Sequence, residues 1–208
     1  MIKEKISVLA DLHAERLQKA IDGRTIEMET DDVSHYLIYQ VLGIAETEGR
    51  LIDLYQNKGR FLYNYAGSFL EKATRLCFKE IFPESGAIKI PNAPGQLPKT
   101  FEIDCLVGRD AIEVKWKHAT TDGDHLTKEH ARIKVISHAG YKPIRVMFYY
   151  PNRARAIRIQ EALATLYRGL QGEYYYGNSA WDYVKQRTKV DLKAILEEIA
   201  TERKSATI

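Results

Sequence analysis

The sequence has no long hydrophobic run, few cysteines and little net charge, and each of these shortages excludes a class of protein. No segment approaches about 18 consecutive apolar residues, so we expect no membrane span. Residues 1–16 mix charged and apolar side chains and lack the apolar stretch of a secretory signal, which predicts a cytoplasmic protein. The two cysteines, Cys77 and Cys105, are too few for a disulfide scaffold or a zinc site of the usual spacing. Their apolar surroundings predict reduced, buried thiols.

The charge is small in total but unevenly distributed. The chain has 31 Lys and Arg against 28 Asp and Glu, a net charge of +3, which does not suit a protein that is basic throughout. Residues 115–158, however, hold ten Lys and Arg against three Asp and Glu, a local net charge of +7, and the rest of the chain carries −4. This distribution predicts a basic face that binds phosphates. The alternative is an ordinary solvated surface of helical Lys and Arg side chains.

The first half of the chain has helical periodicity. With 45% hydrophobic and 28% charged residues, 208 residues fit one globular domain or a core with a smaller subdomain. Apolar residues at helical spacing predict helices that end at Asp22-Gly23, near Gly43 and before Pro83. The predicted helical segments are residues 2–21, 33–41, 46–56 and 61–82.

The second half changes to the period of strands after a loop rich in proline and glycine at residues 83–99. The predicted strands are residues 87–90, 100–106, 111–116, 143–150 and 173–176, and the predicted helices are residues 126–139, 153–170, 180–185 and 192–200. Because strands alternate with helices, we expect an α/β fold with a mixed central sheet flanked by helices.

Two of these strands are predicted to form a hairpin around Gly108-Arg109, since glycine at the first central position suits a type II′ turn. Paired residues then have numbers that add up to 217, which sets Asp104 opposite Glu113 on one face. Lys115, two residues further on, points to that face as well. Opposite residues lie about 4.5–5.5 Å apart at Cβ, so the two carboxylates repel each other unless a positive charge lies between them.

This triplet has the chemistry of phosphodiester hydrolysis. Mg²⁺ prefers carboxylate oxygens, and a nearby lysine orients the attacking water, helps to remove its proton and offsets charge at phosphorus. The alternative is a surface hairpin in which Lys115 pairs with Glu102 and the carboxylates face water. A short motif alone does not decide between the two.

The same residues resemble the motif of the PD-(D/E)XK nucleases. Eight residues separate Asp104 from Glu113-Val114-Lys115, and all of them lie on the predicted hairpin. The hairpin follows a long predicted helix and precedes a helix and a buried strand. Ile103 stands where the motif has proline. Residues 34–39, 56–63, 101–104 and 120–125 give a wider context that resembles the ApaLI-like type II restriction endonucleases.

The resemblance implies a restriction-endonuclease-like core with Asp104 and Glu113 as Mg²⁺ ligands and Lys115 acting on the attacking water. It also implies a carboxylate from the preceding helix, for which Glu71 is the best match; the alternative is an exposed Glu71 paired with Arg75 at i+4. We expect residues 60–208 to form the nuclease core with its C-terminal helices. Residues 1–59 are expected to form a helical region that serves dimerisation or embraces DNA.

The predicted DNA-binding residues lie on the loop and helix that follow the strand of Glu113 and Lys115, where polar side chains reach a groove of DNA. They are Lys117, His118, Thr120, Thr121, Asp124, His125, Lys128 and Arg132. The histidines lack the spacing of a zinc helix, and Asp122-Gly123-Asp124 does not continue as an EF-hand. The tyrosines at 174–176 suit the core better than base stacking.

These expectations together describe a type II restriction endonuclease that needs Mg²⁺ and cuts both strands of DNA, leaving 5′-phosphate and 3′-hydroxyl ends. The resemblance implies a short palindrome of the GTGCAC type, a symmetric homodimer and a cognate DNA methyltransferase as a genetic partner. Two alternatives stay open: a structure-selective nuclease of repair or recombination on the same fold, and a DNA-binding module that does not cut.

Overall fold

The computed structural model describes residues 1–93, 97–117 and 124–206. Within them the helices are α1 (Ile2–Met28), α2 (Tyr36–Val41), α3 (Glu46–Ile81), α4 (Asp124–His138), α5 (Ala154–Gly169), α6 (Asn178–Thr188) and α7 (Leu192–Ala206). The strands are β1 (Gly86–Pro91), β2 (Thr100–Val107), β3 (Asp110–Lys117), β4 (Lys142–Tyr149) and β5 (Glu173–Tyr176). None of the helices in these ranges is long and apolar enough to cross a membrane.

The chain divides into two compact units. A helical unit comprises residues 7–69, and an α/β unit comprises residues 1–6 and 70–208. The expected boundary between residues 59 and 60 lies inside α3, because a single uninterrupted helix runs from Glu46 to Ile81. A function of the helical unit in dimerisation or DNA binding stays a prediction.

Two predicted helix ends do not occur. The first helix continues past Gly23 to Met28, and the segments predicted at 46–56 and 61–82 are one helix that includes Gly59. A single glycine costs a helix only about 1 kcal/mol relative to alanine, which neighbouring contacts offset. Beyond Gly23 such a contact is the ion pair of Arg24 with Glu27, 3.2 Å long. Proline is a stronger stop, and α3 ends at Ile81, before Pro83, as predicted.

The α/β unit is built on a mixed five-stranded sheet in the order β1-β2-β3-β4-β5. The pairs β1-β2 and β2-β3 are antiparallel, and the pairs β3-β4 and β4-β5 are parallel, with α4 and α5 as the crossover connections. The predicted α/β class with a mixed sheet is confirmed. One part of the core is formed by Ile90, Ile103, Ala111 and Ile136, which join three strands to α4.

Helices cover both faces of this sheet. Successive residues of a strand point to opposite faces. Tyr174 of β5 contacts Tyr167 of α5, with ring centroids 5.9 Å apart, and Tyr175 stacks on Tyr183 of α6 at 4.4 Å. Both strand tyrosines are therefore half-buried against helices, in line with the predicted packing, while Tyr176 at the strand end is 45% exposed and departs from it. The two cysteines are free and buried, as predicted.

Candidate active site

The hairpin of β2 and β3 has the predicted register. Cys105 pairs with Ile112, and Val107 pairs with Asp110, so the numbers of paired residues add up to 217. Gly108 has a φ of 58°, the left-handed conformation that the first central residue of a type II′ turn requires. Asp104 lies one position beyond Cys105. Its Oδ2 atom accepts a hydrogen bond from the backbone N–H of Val114, 2.8 Å long, and this bond holds the carboxylate in the hairpin.

The two carboxylates of the predicted site are buried rather than facing water. Asp104 is 9% exposed and Glu113 is 2% exposed. The Lys115 ammonium contacts Oε1 of Glu113, so the structure brings together the three residues that the sequence predicted as catalytic. The surface-hairpin alternative expected exposed carboxylates and an ion pair of Lys115 with Glu102, and the observed burial and ion pair differ from it on both points.

Burial and charge act differently on the two carboxyls. Burial, followed by the negative charge of Glu113, raises the pKa of Asp104 from 3.8 to about 7, although Lys115 and the Val114 N–H act in the opposite direction. Burial alone would raise the pKa of Glu113 too, but the positive charges of Lys115 and Arg132 lower it below its ordinary value. Ionisation of Glu113 is therefore favoured, whereas ionisation of Asp104 is unfavourable unless a further positive charge binds beside it.

Glu71 on α3 is half-buried, whereas the alternative to a metal ligand expected it to be exposed. Its carboxylate pairs with Arg75, with Oε1 3.5 Å from Nη2, as expected of an i, i+4 ion pair. Its negative charge also contributes to the raised pKa of Asp104. Glu71 is thus electrostatically linked to the carboxylate pair, and its service as a metal ligand stays a prediction.

Glu113 belongs to a network of ion pairs, and the sequence did not predict this network. Oε1 of Glu113 contacts both Lys115 and Arg132. Nη1 of Arg132 lies 3.8 Å from Oε1 of Glu129 on the same helix, α4. The other oxygen of Glu129 accepts a hydrogen bond of 2.8 Å from Nη1 of Arg145. The sequence contained one signal of this network: Arg145 is a single charged residue within the apolar run of β4.

The register of the sheet explains why this network converges on Glu113. Arg145 of β4 is the direct neighbour of Glu113 in the parallel ladder. Arg145 is 2% exposed, so it is not part of an exposed basic face, and its inclusion among the predicted phosphate-binding charges was wrong. A buried charge needs a partner of opposite sign, and Glu129, itself 7% exposed, supplies it.

One oxygen of Glu113 remains available. Among the described residues, Oε2 of Glu113 is a buried atom with no hydrogen-bond partner. A buried carboxylate oxygen normally has a partner, and a divalent cation is one that carboxylates attract. No group of three or more His, Cys, Asp or Glu side chains in the described ranges is arranged to hold a metal ion by itself. Asp104 and Glu113 thus fit Mg²⁺ as a pair of protein ligands, the number that this ion commonly takes from a protein.

The predicted DNA-binding residues fall into three groups. Lys117 and Lys128 are exposed, at the end of β3 and on the first half of α4. Arg132 is directed inward, where Glu113 engages its guanidinium, and a contact of this side chain with DNA stays a prediction. Three more of the predicted residues, His118, Thr120 and Thr121, lie outside the described residues. For Asp124 and His125 the structure describes the backbone of α4 but not the side chains.

Comparison with known proteins gives one match. Neither the search of curated proteins nor that of solved structures found a similar chain. The family model described as ApaLI-like restriction endonuclease matches residues 1–201, nearly the whole sequence. The observed hairpin, with its buried carboxylates and lysine, lies inside the matched region. The chain therefore belongs to the ApaLI-like restriction endonuclease family.

Proposed function

We propose that this restriction endonuclease is of type II and hydrolyses both strands of double-stranded DNA with Mg²⁺ on a PD-(D/E)XK core. The observation that carries the proposal is the buried pair of Asp104 and Glu113, with Lys115 on one oxygen of Glu113 and the other oxygen without a partner among the described residues. The order of elements supports it: α3, three antiparallel strands, α4 and a parallel strand follow one another along the chain.

Each residue of the site has a separate role in the proposed reaction. Asp104 and Glu113 hold the ion, and the hydrogen bond from Val114 fixes the direction of the Asp104 carboxylate. Bound Mg²⁺ supplies a Lewis acid that lowers the pKa of water and stabilises negative charge at phosphorus. Lys115 orients the attacking water and favours loss of its proton. Arg132 acts as a positioning residue, because its ion pair with Glu113 limits the rotamers of that ligand.

In-line attack by water at phosphorus, opposite the 3′ oxygen, breaks the P–O3′ bond; the 3′ oxygen leaves and takes up a proton, which gives 5′-phosphate and 3′-hydroxyl ends. A palindrome of the GTGCAC type is the target class that the family suggests for the first trial, and a homodimer would set one site on each strand. Exposed Lys117 and Lys128 contact the phosphate backbone in this proposal, while base recognition falls to the predicted residues between positions 118 and 125. Such an activity operates in the cytoplasm and requires a DNA methyltransferase that protects the host's own sites.

The experiment is incubation of the purified protein with unmethylated plasmid and phage DNA, with Mg²⁺ or with EDTA, followed by sequencing of the ends. Discrete fragments with 5′-phosphates in the Mg²⁺ arm support the proposal. Cleavage only at branches or lesions would favour a repair nuclease instead, and binding without cleavage would favour a DNA-binding module. Cleavage that continues in EDTA would contradict the proposed dependence on Mg²⁺.

Lys115→Ala tests the role of the lysine. We expect the cleavage rate to fall by about 100-fold or more while DNA binding persists, because a positioned group for proton transfer contributes about 10²–10⁴-fold. Lys89→Ala is the matched control, since Lys89 is an exposed lysine on another strand of the same sheet. A Lys115→Ala variant that cuts at the wild-type rate would remove Lys115 from the mechanism.

A further inference from the structure

Two exposed tyrosines lie at the edge of the sheet where the parallel strands β3, β4 and β5 end. Tyr149 is the last residue of β4 and is 52% exposed, and Tyr176 is the last residue of β5 and is 45% exposed. No other aromatic side chain in the described part of the α/β unit is as exposed as these two. Exposed rings that share one edge of a sheet, instead of lying scattered, indicate a surface that a ligand covers.

The parallel ladders place both tyrosines beside Lys115. Lys115 of β3 pairs with Met147 of β4, and Met147 pairs with Tyr176, so Lys115 and Tyr176 point to the same face of the sheet. Two strand spacings separate their backbones, which is about 10 Å. Tyr149 is the direct neighbour of Lys117 in the same ladder. Because a major groove is about 12 Å wide, a duplex with one phosphate at Lys115 also comes within contact of these rings.

Tyr149 is held in place by two tryptophans. The centre of its ring lies 6.3 Å from that of Trp116 on β3 and 6.1 Å from that of Trp181 on α6, and both contacts are edge to face. Trp181 packs in turn on buried Phe148, with ring centres 4.2 Å apart. An exposed ring that its neighbours already hold loses little conformational freedom when a ligand covers it, which favours binding.

Tyr176 is held in a similar way at the end of β5. Its ring centre lies 4.3 Å from that of Tyr150 and 6.2 Å from that of Tyr174. The Ser179 hydroxyl accepts a hydrogen bond of 3.0 Å from the N–H of Tyr176 and donates one of 2.8 Å to its carbonyl oxygen, which fixes the backbone. The rings at this edge are called the aromatic surface below; they are Trp116, Tyr149, Tyr150, Tyr176 and Trp181.

Positive charge beside the aromatic surface favours DNA as the ligand. Residues 149–158 contain three arginines and no acidic residue, and Arg153, Arg155 and Arg158 are all exposed. The Lys117 ammonium lies 5.9 Å from the centre of the Trp116 ring. α5 begins at Ala154, at this same edge, so the positive end of its dipole adds to the attraction. Such charges attract phosphates, while the rings offer flat apolar area to sugars and bases.

We infer that the aromatic surface contacts the sugars and bases next to the phosphate that lies at Lys115. The inference deepens the proposed function and rests on it, because the position of that phosphate comes from the proposed reaction. Contacts of lysines with phosphates release counterions and weaken as salt rises, whereas contacts of rings with sugars and bases do not add to this salt dependence. The two kinds of contact can therefore be separated by measurement.

Fluorescence anisotropy of a short labelled duplex that carries the GTGCAC site, over a series of salt concentrations, is the first measurement. Ca²⁺ replaces Mg²⁺, because carboxylates bind both ions and the larger Ca²⁺ is the weaker Lewis acid. Tyr149→Ala and Tyr176→Ala should each raise the Kd about tenfold, as loss of one aromatic contact with a nucleotide commonly does. The slope of log Kd against log salt concentration should stay as in the wild type.

Two kinds of control accompany these variants. Tyr149→Phe and Tyr176→Phe should keep most of the affinity, because they keep the rings. Ile81→Ala should leave binding unchanged: Ile81 is 46% exposed in the same unit, but it precedes β1, which begins beside Leu106 at the turn end of the hairpin. Alanine variants that bind as the wild type does, alanine variants with a smaller salt slope, or phenylalanine variants as weak as the alanine variants would each overturn the inference.

Tryptophan fluorescence gives a second readout that needs no variant. The chain has two tryptophans, and both belong to the aromatic surface. Unlabelled duplex DNA should therefore quench the tryptophan emission of the wild type, because nucleotides then lie against the rings around both indoles. Unchanged emission at DNA concentrations at which anisotropy reports binding would overturn the inference.

Cleavage distinguishes failure of the inference from failure of the proposed function. A chain that cuts plasmid DNA while Tyr149→Ala and Tyr176→Ala bind as the wild type does would overturn the inference and leave the proposed function standing. A chain that shows the expected losses of binding and the expected quenching, but does not cut, would support the aromatic contact and contradict the proposed hydrolysis. A chain that binds no DNA with either ion would overturn both.

Discussion

Asparagine at position 104 should stabilise the protein while it abolishes cleavage. The pKa of Asp104 is raised from 3.8 to about 7, first by burial and then by the charge of Glu113. Above pH 7 the folded protein therefore holds a carboxylate whose ionisation is unfavourable in this environment. An amide oxygen in the same place still accepts the hydrogen bond from Val114, but it carries no charge. Asp104→Asn thus removes the repulsion and keeps the contact.

The magnitude follows from proton linkage. Between pH 3.8 and about 7 the folded state binds more protons at Asp104 than the unfolded state does, so the free energy of unfolding falls as the pH rises and levels off above pH 7. At about 1.4 kcal/mol per pH unit, the full interval of about three pH units corresponds to about 4 kcal/mol. The stabilisation of Asp104→Asn over the wild type should be about 2 kcal/mol at about pH 5.5 and about 4 kcal/mol at about pH 8.

Urea unfolding in EDTA at the two pH values measures this difference. Asp110→Asn is a matched control in the same hairpin, because Asp110 is half-buried and its Oδ2 accepts a hydrogen bond of 2.7 Å from Arg187. Removing that ion pair should cost at most about 1 kcal/mol and should stabilise nothing. Addition of Mg²⁺ should then stabilise the wild type and have little effect on Asp104→Asn.

The reasoning is refuted if Asp104→Asn is no more stable than the wild type at the higher pH in EDTA. It is also refuted if the stabilisation is the same at both pH values, because the difference would then not come from ionisation of Asp104.

Three further predictions concern the charges around the hairpin. Arg132→Ala should raise the Mg²⁺ concentration needed for half-maximal cleavage by about 10–100-fold, with partial rescue by Arg132→Lys; titration of cleavage with Mg²⁺ checks this, and an unchanged midpoint would count against positioning of the metal ligand. Arg145→Met should lower the free energy of unfolding by about 3–5 kcal/mol, since it leaves Glu129 buried with only the 3.8 Å contact to Arg132, whereas Arg155→Met on the exposed side of α5 should change it little in the same urea titration. Lys128→Ala should weaken DNA binding about equally on all sequences and reduce the salt dependence of binding by about one phosphate contact in fluorescence anisotropy; a loss confined to one sequence would argue for base recognition.

The arrangement of Asp104, Glu113 and Lys115 was predictable because it depends on local rules. Alternation fixes which strand residues share a face, and a glycine at the first position of a two-residue turn fixes the register. Asp104, Glu113 and Lys115 lie within twelve consecutive residues, so no long-range contact was needed to bring them together. The same kind of rule was less reliable for helix ends. Gly23 and Gly59 predicted helix ends that do not occur, since one glycine lowers the stability of a long helix only slightly.

The supporting charges were not predictable from spacing. Glu129 and Arg132 come from α4, and Arg145 comes from β4. They contact one another and Glu113 only because the crossover through α4 places β4 parallel to β3 and next to it. Sequence counting therefore assigned Arg145 to an exposed basic face, although the fold buries it.

By itself, the sequence determined the α/β class, the hairpin register and the three residues at its centre, because short-range periodicity and turn chemistry encode them. Only the tertiary structure decided which charges are buried against Glu113 and which aromatic side chains at the edge of the sheet remain exposed. Both depend on which elements pack against each other. Contacts between segments that are distant in the sequence produce no periodic pattern from which they could be predicted.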